Sequence, residues 1–218
     1  MKFSNLIMIT GLAALALPAQ AADIGVGARV STLGMTYEAK FALTDHFALR
    51  GGINQYDTDY EETQDDITYD FDAEFDSTHL FLDYHPFAGM FRITGGIVDN
   101  DSTFIGTGTS SGTYTLNGVS YTGAEVGTLS AGFGLQEQGT YLGVGWASAP
   151  KSSGLGFSVD VGVVLQDGPQ AQIVSTGGLL SSDPTFQSNV DAEIAELNQD
   201  LEEFDTYPVV SIGISYTF

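Results

Sequence analysis

The chain ends on Pro208-Val-Val-Ser-Ile-Gly-Ile-Ser-Tyr-Thr-Phe218. Val210, Ile212, Ile214, Tyr216 and Phe218 share one phase of a two-residue period. Val209, Ser211, Gly213, Ser215 and Thr217 share the other. An apolar face set against a small and mostly polar one marks a strand whose two sides meet different surroundings.

The same period recurs upstream. Ile24, Val26, Ala28 and Val30 alternate with Gly25, Gly27 and Arg29, and the phase breaks at Thr32-Leu33-Gly34, as at a tight turn or bulge. Tyr37, Ala39, Phe41 and Leu43 follow, then Phe47, Leu49, Gly51 and Ile53. Residues 57–68 read as an acidic loop. From Tyr69 to Asp76 the apolar phase is Phe71, Ala73, Phe75; a slip near Ser77-Thr78 then hands it to Leu80, Leu82 and Tyr84. Phe91, Ile93 and Ile97 continue the pattern. Residues 99–122, rich in Gly, Ser, Thr and Asn, read as a long mobile loop. Strands are predicted at Leu129–Leu135, Leu142–Trp146 and Phe157–Val163, and Ala171–Ser175 reads as a further one. Asp183-Pro184 is an N-cap followed by a first helical position, and Phe186, Val190, Ile194, Leu197, Leu201 and Phe204 recur at spacings of three or four. This predicts one amphipathic helix over 183–205, docked on the rim through its apolar side.

Residues 1–21 combine a single Lys2, an apolar run to Leu17 and the small-x-small site Ala19-Gln20-Ala21. This is the form of a cleaved secretory leader, too short to span a membrane. Residues 22–218 then make one domain without cysteine, so disulfides and thiolate metal sites are excluded. Loss of Lys2 with the leader takes the net charge from −22 to −23. Nucleic acid is excluded as a partner, because no cationic surface is available to release its counterions.

An exported, cysteine-free chain of alternating strands predicts an all-β, antiparallel, up-and-down transmembrane β-barrel with one helix in a long loop. Aromatic girdles of Phe41, Phe47, Phe91, Trp146, Tyr216 and Phe218 would face the lipid interfaces. Strand number must be even. With a hairpin over 23–43 and a strand at Ala171–Ser175, the count is about ten. Thr44–His46, His85–Gly89, Glu137–Gly139 and Asp167–Pro169 are then short periplasmic turns, and the acidic loop, the Gly/Ser/Thr loop and the helix lie outside. With the hairpin and the strand at Ala171–Ser175 both withdrawn the count is eight, the alternative, and the long loops then lie in the periplasm.

Two resemblances bear on this reading. The terminal Phe218, with Tyr216 two before it, resembles the signal by which the barrel-assembly machinery recognises bacterial outer-membrane barrels. Leu82-Asp-Tyr-His-Pro-Phe-Ala-Gly-Met-Phe-Arg92, Val126–Ser130, Tyr141–Trp146 and Tyr207–Ser211 resemble segments of a group of uncharacterised proteobacterial outer-membrane barrels of the small OmpA/OmpW-like kind. The likeness covers most of residues 22–218, with Ala88 and Met90 where the group tends to have glycine. It implies the fold and a place in the outer membrane of a Gram-negative cell, and carries no activity.

The basic residues left after the leader are Arg29, Lys40, Arg50, Arg92 and Lys151. The first four fall on the polar phase of their strands, as do Glu38, Asp83 and Asp160, with His79 near them in sequence. In a barrel that phase is the lumen. A narrow barrel brings these side chains within reach of one another, and unpaired charges there would be costly. The expectation is a charge-paired, largely plugged lumen, in a monomeric barrel with a structural or surface-interaction role among outer-membrane lipid and lipopolysaccharide. A narrow pore or small-ligand carrier is the alternative, which the many luminal glycines also suit. An enzyme comes third and is not expected: His46 and His85 lie in predicted periplasmic turns, leaving only His79, beside Ser77 and near Asp83. No cofactor is expected. Ten acids lie between Asp57 and Asp76. Divalent cations could bridge them to lipid phosphates through hard oxygen ligands, with Asp57, Asp59 and Glu61 as weak candidates. No full calcium loop follows these three, and a solvated acidic loop is preferred.

Overall fold

Every backbone N–H and C=O inside a bilayer must find a partner in the protein, so a sheet that crosses one has to close on itself. A computed structural model shows this closure; it describes residues 24–64, 67–109, 112–135 and 138–218. The predicted leader lies outside the described residues.

The ring begins with the hairpin β1 (Ile24–Ser31) and β2 (Gly34–Ala42), joined through Thr32 and Leu33. Gly34, at φ 105°, takes the backbone conformation this two-residue connection requires. β3 (Phe47–Gln64) and β4 (Ile67–Tyr84) form a second, much longer hairpin. β5 (Phe91–Asn100) pairs with the lower half of β4. The chain continues through β6 (Ser102–Thr109), which pairs with the upper half of β4. A small hairpin of β7 (Thr113–Leu116) and β8 (Val119–Thr122) follows, then the short helix α1 (Gly123–Val126). β9 (Gly127–Leu135) pairs with β6, and β10 (Gln138–Trp146) pairs with β5. β11 (Gly154–Leu165) pairs with β10, and β12 (Gln170–Gly177) with β9. The helix α2 (Pro184–Leu201) leads through a 3-10 turn at Glu202–Phe204 into β13 (Thr206–Thr217). β13 closes the barrel between β11 and β1.

The closed ring therefore runs β1-β2-β3-β4-β5-β10-β11-β13, eight strands, all antiparallel to their neighbours. The barrel class is as the alternation predicts, but the count is eight and not the preferred ten; the 23–43 hairpin is kept, unlike in the eight-strand alternative, and the strand over Ala171–Ser175 forms outside the ring. β9 and β12 are strands outside the ring. The chain does not reverse between β9 and β10, nor between β11 and β12, because each pair continues along the same partners in one direction. Asp167–Pro169 is thus not a periplasmic turn, and the predicted turn Glu137–Gly139 begins outside the described residues. The third turn at the end that holds residues 43–46 and 85–90 is Ala147–Ser153. Lys151 there meets Asp45 across the barrel end at 3.0 Å.

β3 and β4 overshoot the barrel and, with β6, β9 and β12, build a five-stranded wall above it in the order β3-β4-β6-β9-β12. Most of the predicted acidic loop and part of the Gly/Ser/Thr loop are therefore strand. The phase slip at Ser77-Thr78 is not a break either, since the β3–β4 ladder runs unbroken from Phe47↔Tyr84 to Gln64↔Ile67. The surroundings change instead. Below Ser77 the outward side meets lipid and is apolar: Leu80, Leu82 and Tyr84. Above it the outward side meets water, and carries Asp70, Asp72, Glu74 and Asp76. The inward side becomes the apolar one. There Tyr56, Phe75, Phe104 and Phe133 make successive ring contacts at 6.1, 5.1 and 4.9 Å across β3, β4, β6 and β9.

On β13 the apolar phase faces out, with Ile212 60% exposed and Ser211 6%. The aromatic girdle gathers at the end where β1 begins and β13 ends. Phe47 stacks on Tyr84 at 5.0 Å, Phe91 meets Trp146 at 5.5 Å and Tyr216 meets Phe218 at 5.3 Å.

The predicted helix is present. The Asp183 carboxylate accepts hydrogen bonds from the Thr185 and Phe186 amides, and Pro184 occupies the first turn. Its apolar side does not rest on the barrel rim. Phe186 and Val190 are buried with Leu116, Tyr121, Val126 and Ile173, so the helix and the β7–β8 hairpin share a second core against the wall.

Three variants check this architecture. Ile212→Arg places a charge on the lipid face and is expected to destabilise the folded barrel by about 2–4 kcal/mol. Val174→Arg on β12, which a ten-strand barrel would also put in lipid, is expected to change stability by less than about 0.5 kcal/mol. Urea unfolding in lipid vesicles measures both. Phe186→Ala is expected to cost about 3–5 kcal/mol within the second core. It should speed protease cleavage within 183–205 while the barrel keeps its heat-modifiable mobility on gels.

Candidate functional site in the barrel lumen

Inward phases of neighbouring strands place side chains at similar heights, and the lumen is too narrow for a bulk-water layer between them. Six charges meet there, one from each of six strands. Arg29 on β1 donates through Nε to Glu38 Oε1 on β2 at 2.9 Å. Glu38 Oε2 accepts from Arg50 Nη1 on β3, also at 2.9 Å. Arg50 then forks onto Asp83 of β4, with Nε to Oδ2 and Nη2 to Oδ1, the latter at 2.9 Å. Asp83 Oδ2 accepts from Arg92 Nη1 of β5 at 3.2 Å. Arg92 forks onto Asp160 of β11 at 2.9 and 2.7 Å. Asp160 closes the cycle on Arg29 Nη1.

Three guanidinium groups and three carboxylates thus alternate around a closed ring with no net charge. All six side chains are buried. Two of the Arg–carboxylate contacts are bidentate, the geometry in which arginine binds most strongly. Thr94 Oγ1 donates to Asp83 at 2.7 Å, and the Ser211 hydroxyl lies 3.4 Å from Asp160, so hydroxyls from β5 and β13 help saturate the acids. The remaining ring strand, β10, contributes space. A Cβ on its Gly145 would sit 2.1 Å from Asp160 Oδ1.

Lys40, on the same inward face one position nearer the periplasmic end, is buried but outside the cycle. The sequence-derived set of Arg29, Glu38, Lys40, Arg50, Asp83, Arg92 and Asp160 is therefore gathered in one lumen. The hydroxyls of Thr94 and Ser211 were not in it. Their signal was available, since both sit on inward phases.

An apolar layer lies on the outer side of the ring. Leu33 turns in from the β1–β2 connection to join Phe81, Val98, Tyr141, Val164 and Val209, with Tyr207 packed against them. His79, Phe81 and Tyr141 stack at successive centroid distances of 4.5 Å, and the Arg50 guanidinium lies 5.4 Å from the Phe81 ring. Sequence reasoning missed this layer, although Phe81, Val98 and Val164 are apolar residues standing on otherwise polar phases. The cavity between ring and layer measures about 30 Å³, and the one on the periplasmic side of the ring about 10 Å³. The first is room for about one water.

The other sequence candidates are dispersed. Asn54 Nδ2 lies between Ser77 Oγ at 2.9 Å and His79 Nδ1 at 3.4 Å, so Ser77 and His79 are held apart within the buried lumen. His46 and His85 are in the turns, where their Nδ1 atoms meet the carbonyls of His85 and Gly89, each at 2.7 Å. Burial lowers the pKa of His85, while the Gly89 carbonyl acts in the opposite sense. Asp57, Asp59 and Glu61 point outward on β3, opposite Glu74, Asp72 and Asp70. Among the described residues no group of three or more His, Cys, Asp or Glu side chains is placed to hold a metal ion.

An eight-stranded closed sheet with an apolar exterior and a polar, side-chain-filled interior defines a small outer-membrane β-barrel protein. No family model matches the sequence, and no curated protein does. The fold is similar to that of CarO from Acinetobacter baumannii, with a TM-score of 0.59 and 19% identity over 90% of this chain and 98% of that one. It is equally similar to Acinetobacter baumannii CarO2, with a TM-score of 0.59 and 17% identity over 91% of this chain and 100% of that one. A major outer membrane protein from Thermus thermophilus aligns over 91% of this chain and 100% of its own, with a TM-score of 0.43 and 14% identity.

Removing one member of the ring leaves a buried charge without its partner. Asp83→Asn and Asp160→Asn are each expected to destabilise the barrel by about 3–5 kcal/mol. Lys151→Ala, which breaks the exposed pair with Asp45, is expected to cost no more than about 1 kcal/mol. Urea midpoints in vesicles distinguish the two classes.

Proposed function

We propose that this barrel is closed to solutes and has a structural and surface-interaction role in the outer membrane. The observation that carries the reading is the doubly sealed lumen, a cycle of six paired charges beneath a layer of packed apolar side chains. A conducting pore needs a continuous water column, whereas the space on the two sides of the ring is about 30 and about 10 Å³. What the fold offers outside the membrane is the five-stranded wall with its helix and hairpin. The wall supports the surface-interaction part of this reading, because it rises beyond the lipid-facing belt, where it would meet lipopolysaccharide. The reading takes a monomer, with Tyr216 and Phe218 as the assembly signal. Divalent cations would relieve the directly opposed carboxylates Asp57–Glu74, Asp59–Asp72 and Glu61–Asp70.

Planar-bilayer conductance of refolded residues 22–218 tests this. The native chain is expected to pass no current, and Arg50→Ala/Arg92→Ala to pass one, because the cycle is then cut at two of its three cations. Steady native current, with ion selectivity altered in the variant, would replace the closed barrel by a narrow pore.

A further inference from the structure

The outer wall ends in two sheet edges, and they differ. On β12 the Ala171 amide points away from the sheet and donates to Asn198 Oδ1 of α2 at 2.7 Å, so the helix stands against that edge. The other edge is the upper half of β3. Pairing with β2 stops at Met35↔Gln55, and among the described residues no strand pairs with β3 on that side above it. Turn hydrogen bonds fix the phase of this edge. The His85 amide donates to the His46 carbonyl, and the Leu43 amide to the Phe47 carbonyl. Backbone groups alternate sides along an antiparallel strand, so even-numbered residues of β3 bond to β4 and odd-numbered ones face β2. The register with β4 is unbroken to Gln64. The N–H and C=O groups of Asp57, Asp59 and Glu61 are therefore turned to the open flank.

Side chains divide by the same parity. Those of Asp57, Asp59 and Glu61 point outward, and each already has an acid directly opposite on β4: Glu74, Asp72 and Asp70. Such like-charged pairs are unfavourable. On the inward side Tyr56 and Tyr60 are 48% and 61% exposed. What the acids lack is a cation, and residues 22–218 have none to give. Arg29, Lys40, Arg50 and Arg92 are buried in the lumen, and Lys151 is paired with Asp45 at the opposite end of the barrel.

We propose that this edge binds an extended basic segment of another protein by β-strand addition. The segment joins antiparallel to β3, as every other strand of the sheet joins its neighbours. Lys or Arg at alternate positions stand opposite Asp57, Asp59 and Glu61, and the apolar residues between them pack on Tyr56 and Tyr60. The proposal deepens the surface-interaction part of the proposed function and rests on it. A second copy of this chain is the wrong occupant. Its own β3 edge would set acid against acid, and its β12 edge is held by Asn198. Charge on an edge strand deters pairing with like edges, and here it does so selectively, repelling this chain and attracting a basic one.

The probe is a short fluorescein-labelled peptide that alternates lysine with valine. It is titrated with refolded residues 22–218 in uncharged detergent micelles and read by fluorescence anisotropy. In the proposed pairing the lysine amides bond to β3 and the valine amides face away. Methylating the valine amide nitrogens is expected to leave affinity within about twofold, and methylating those of the lysines to weaken it about tenfold or more, because several hydrogen bonds are lost. On the protein, Asp59→Pro removes an edge N–H that β4 does not use, and is expected to weaken binding about tenfold. Asp59→Asn removes only the charge and should cost about two- to fivefold. Heat-modifiable mobility shows that both variants fold. Equal effects of the two methylation patterns, or equal binding of a peptide with its lysines and valines grouped in blocks, would overturn strand addition and leave general attraction of cations to an acidic surface. No binding of the unmodified peptide would overturn the site itself. Bilayer conductance separates these results from the state of the lumen: a silent barrel that binds no peptide loses the edge site and keeps the closed lumen, and a conducting one that binds it does the reverse.

Discussion

Closure of the buried charge cycle is the constraint on which the rest of the structure depends. Each carboxylate in it is held by two arginines, and each arginine by two carboxylates, so no member is satisfied by a neighbour alone. Arg29 and Asp160 complete the cycle across β13, which passes between them. The pairing is therefore complete only when the terminal strand has joined β1 to β11. In a medium where an unpaired charge is strongly unfavourable, this makes barrel closure and charge neutralisation one event. The apolar layer above depends on the same closure, because Val209 comes from β13 and Leu33 from the turn beside it.

The outer wall follows from a different constraint, the height at which the strands leave the membrane. β3 and β4 keep one unbroken register over their whole length, so no geometric device separates their lower and upper halves. What changes at Ser77 is the solvent on the outward side. The lower outward face excludes charge and the upper one concentrates it, and the inner face switches from the polar lumen to the aromatic row of Tyr56, Phe75, Phe104 and Phe133. With its outward side in water, the wall builds a core on its inner side, supplied by α2 and the β7–β8 hairpin. Phe186 and Val190 consequently lie against Ile173 and Leu116, away from the barrel itself.

Much of the lumen was legible in the sequence. A strand side chain's face depends only on the parity of its position within an uninterrupted strand, so Arg29, Glu38, Lys40, Arg50, Asp83, Arg92 and Asp160 could be assigned inward without tertiary information. Their order around the cycle could not, because it depends on which strands are neighbours. The inversion at Ser77-Thr78 was legible too, but it has two physical causes, a bulge or a change of medium, and parity alone does not separate them. Strand ends failed for a related reason. Asp167–Pro169 has the composition of a turn, yet the chain does not reverse there, because β11 and β12 run on in one direction beside β10 and β9.

By itself the sequence determined the alternation, the absence of disulfides, the apolar exterior of β13, the helix cap at Asp183-Pro184 and the inward phase of the charges, all of which follow from local period and side-chain chemistry. Only the tertiary structure decided that eight strands close while β3 and β4 continue upward into a wall with β6, β9 and β12, that six charges form one cycle, and that Leu33 helps to seal it. These are properties of register and closure, set by contacts between residues as distant in the chain as Arg29 and Asp160, and no local pattern encodes them.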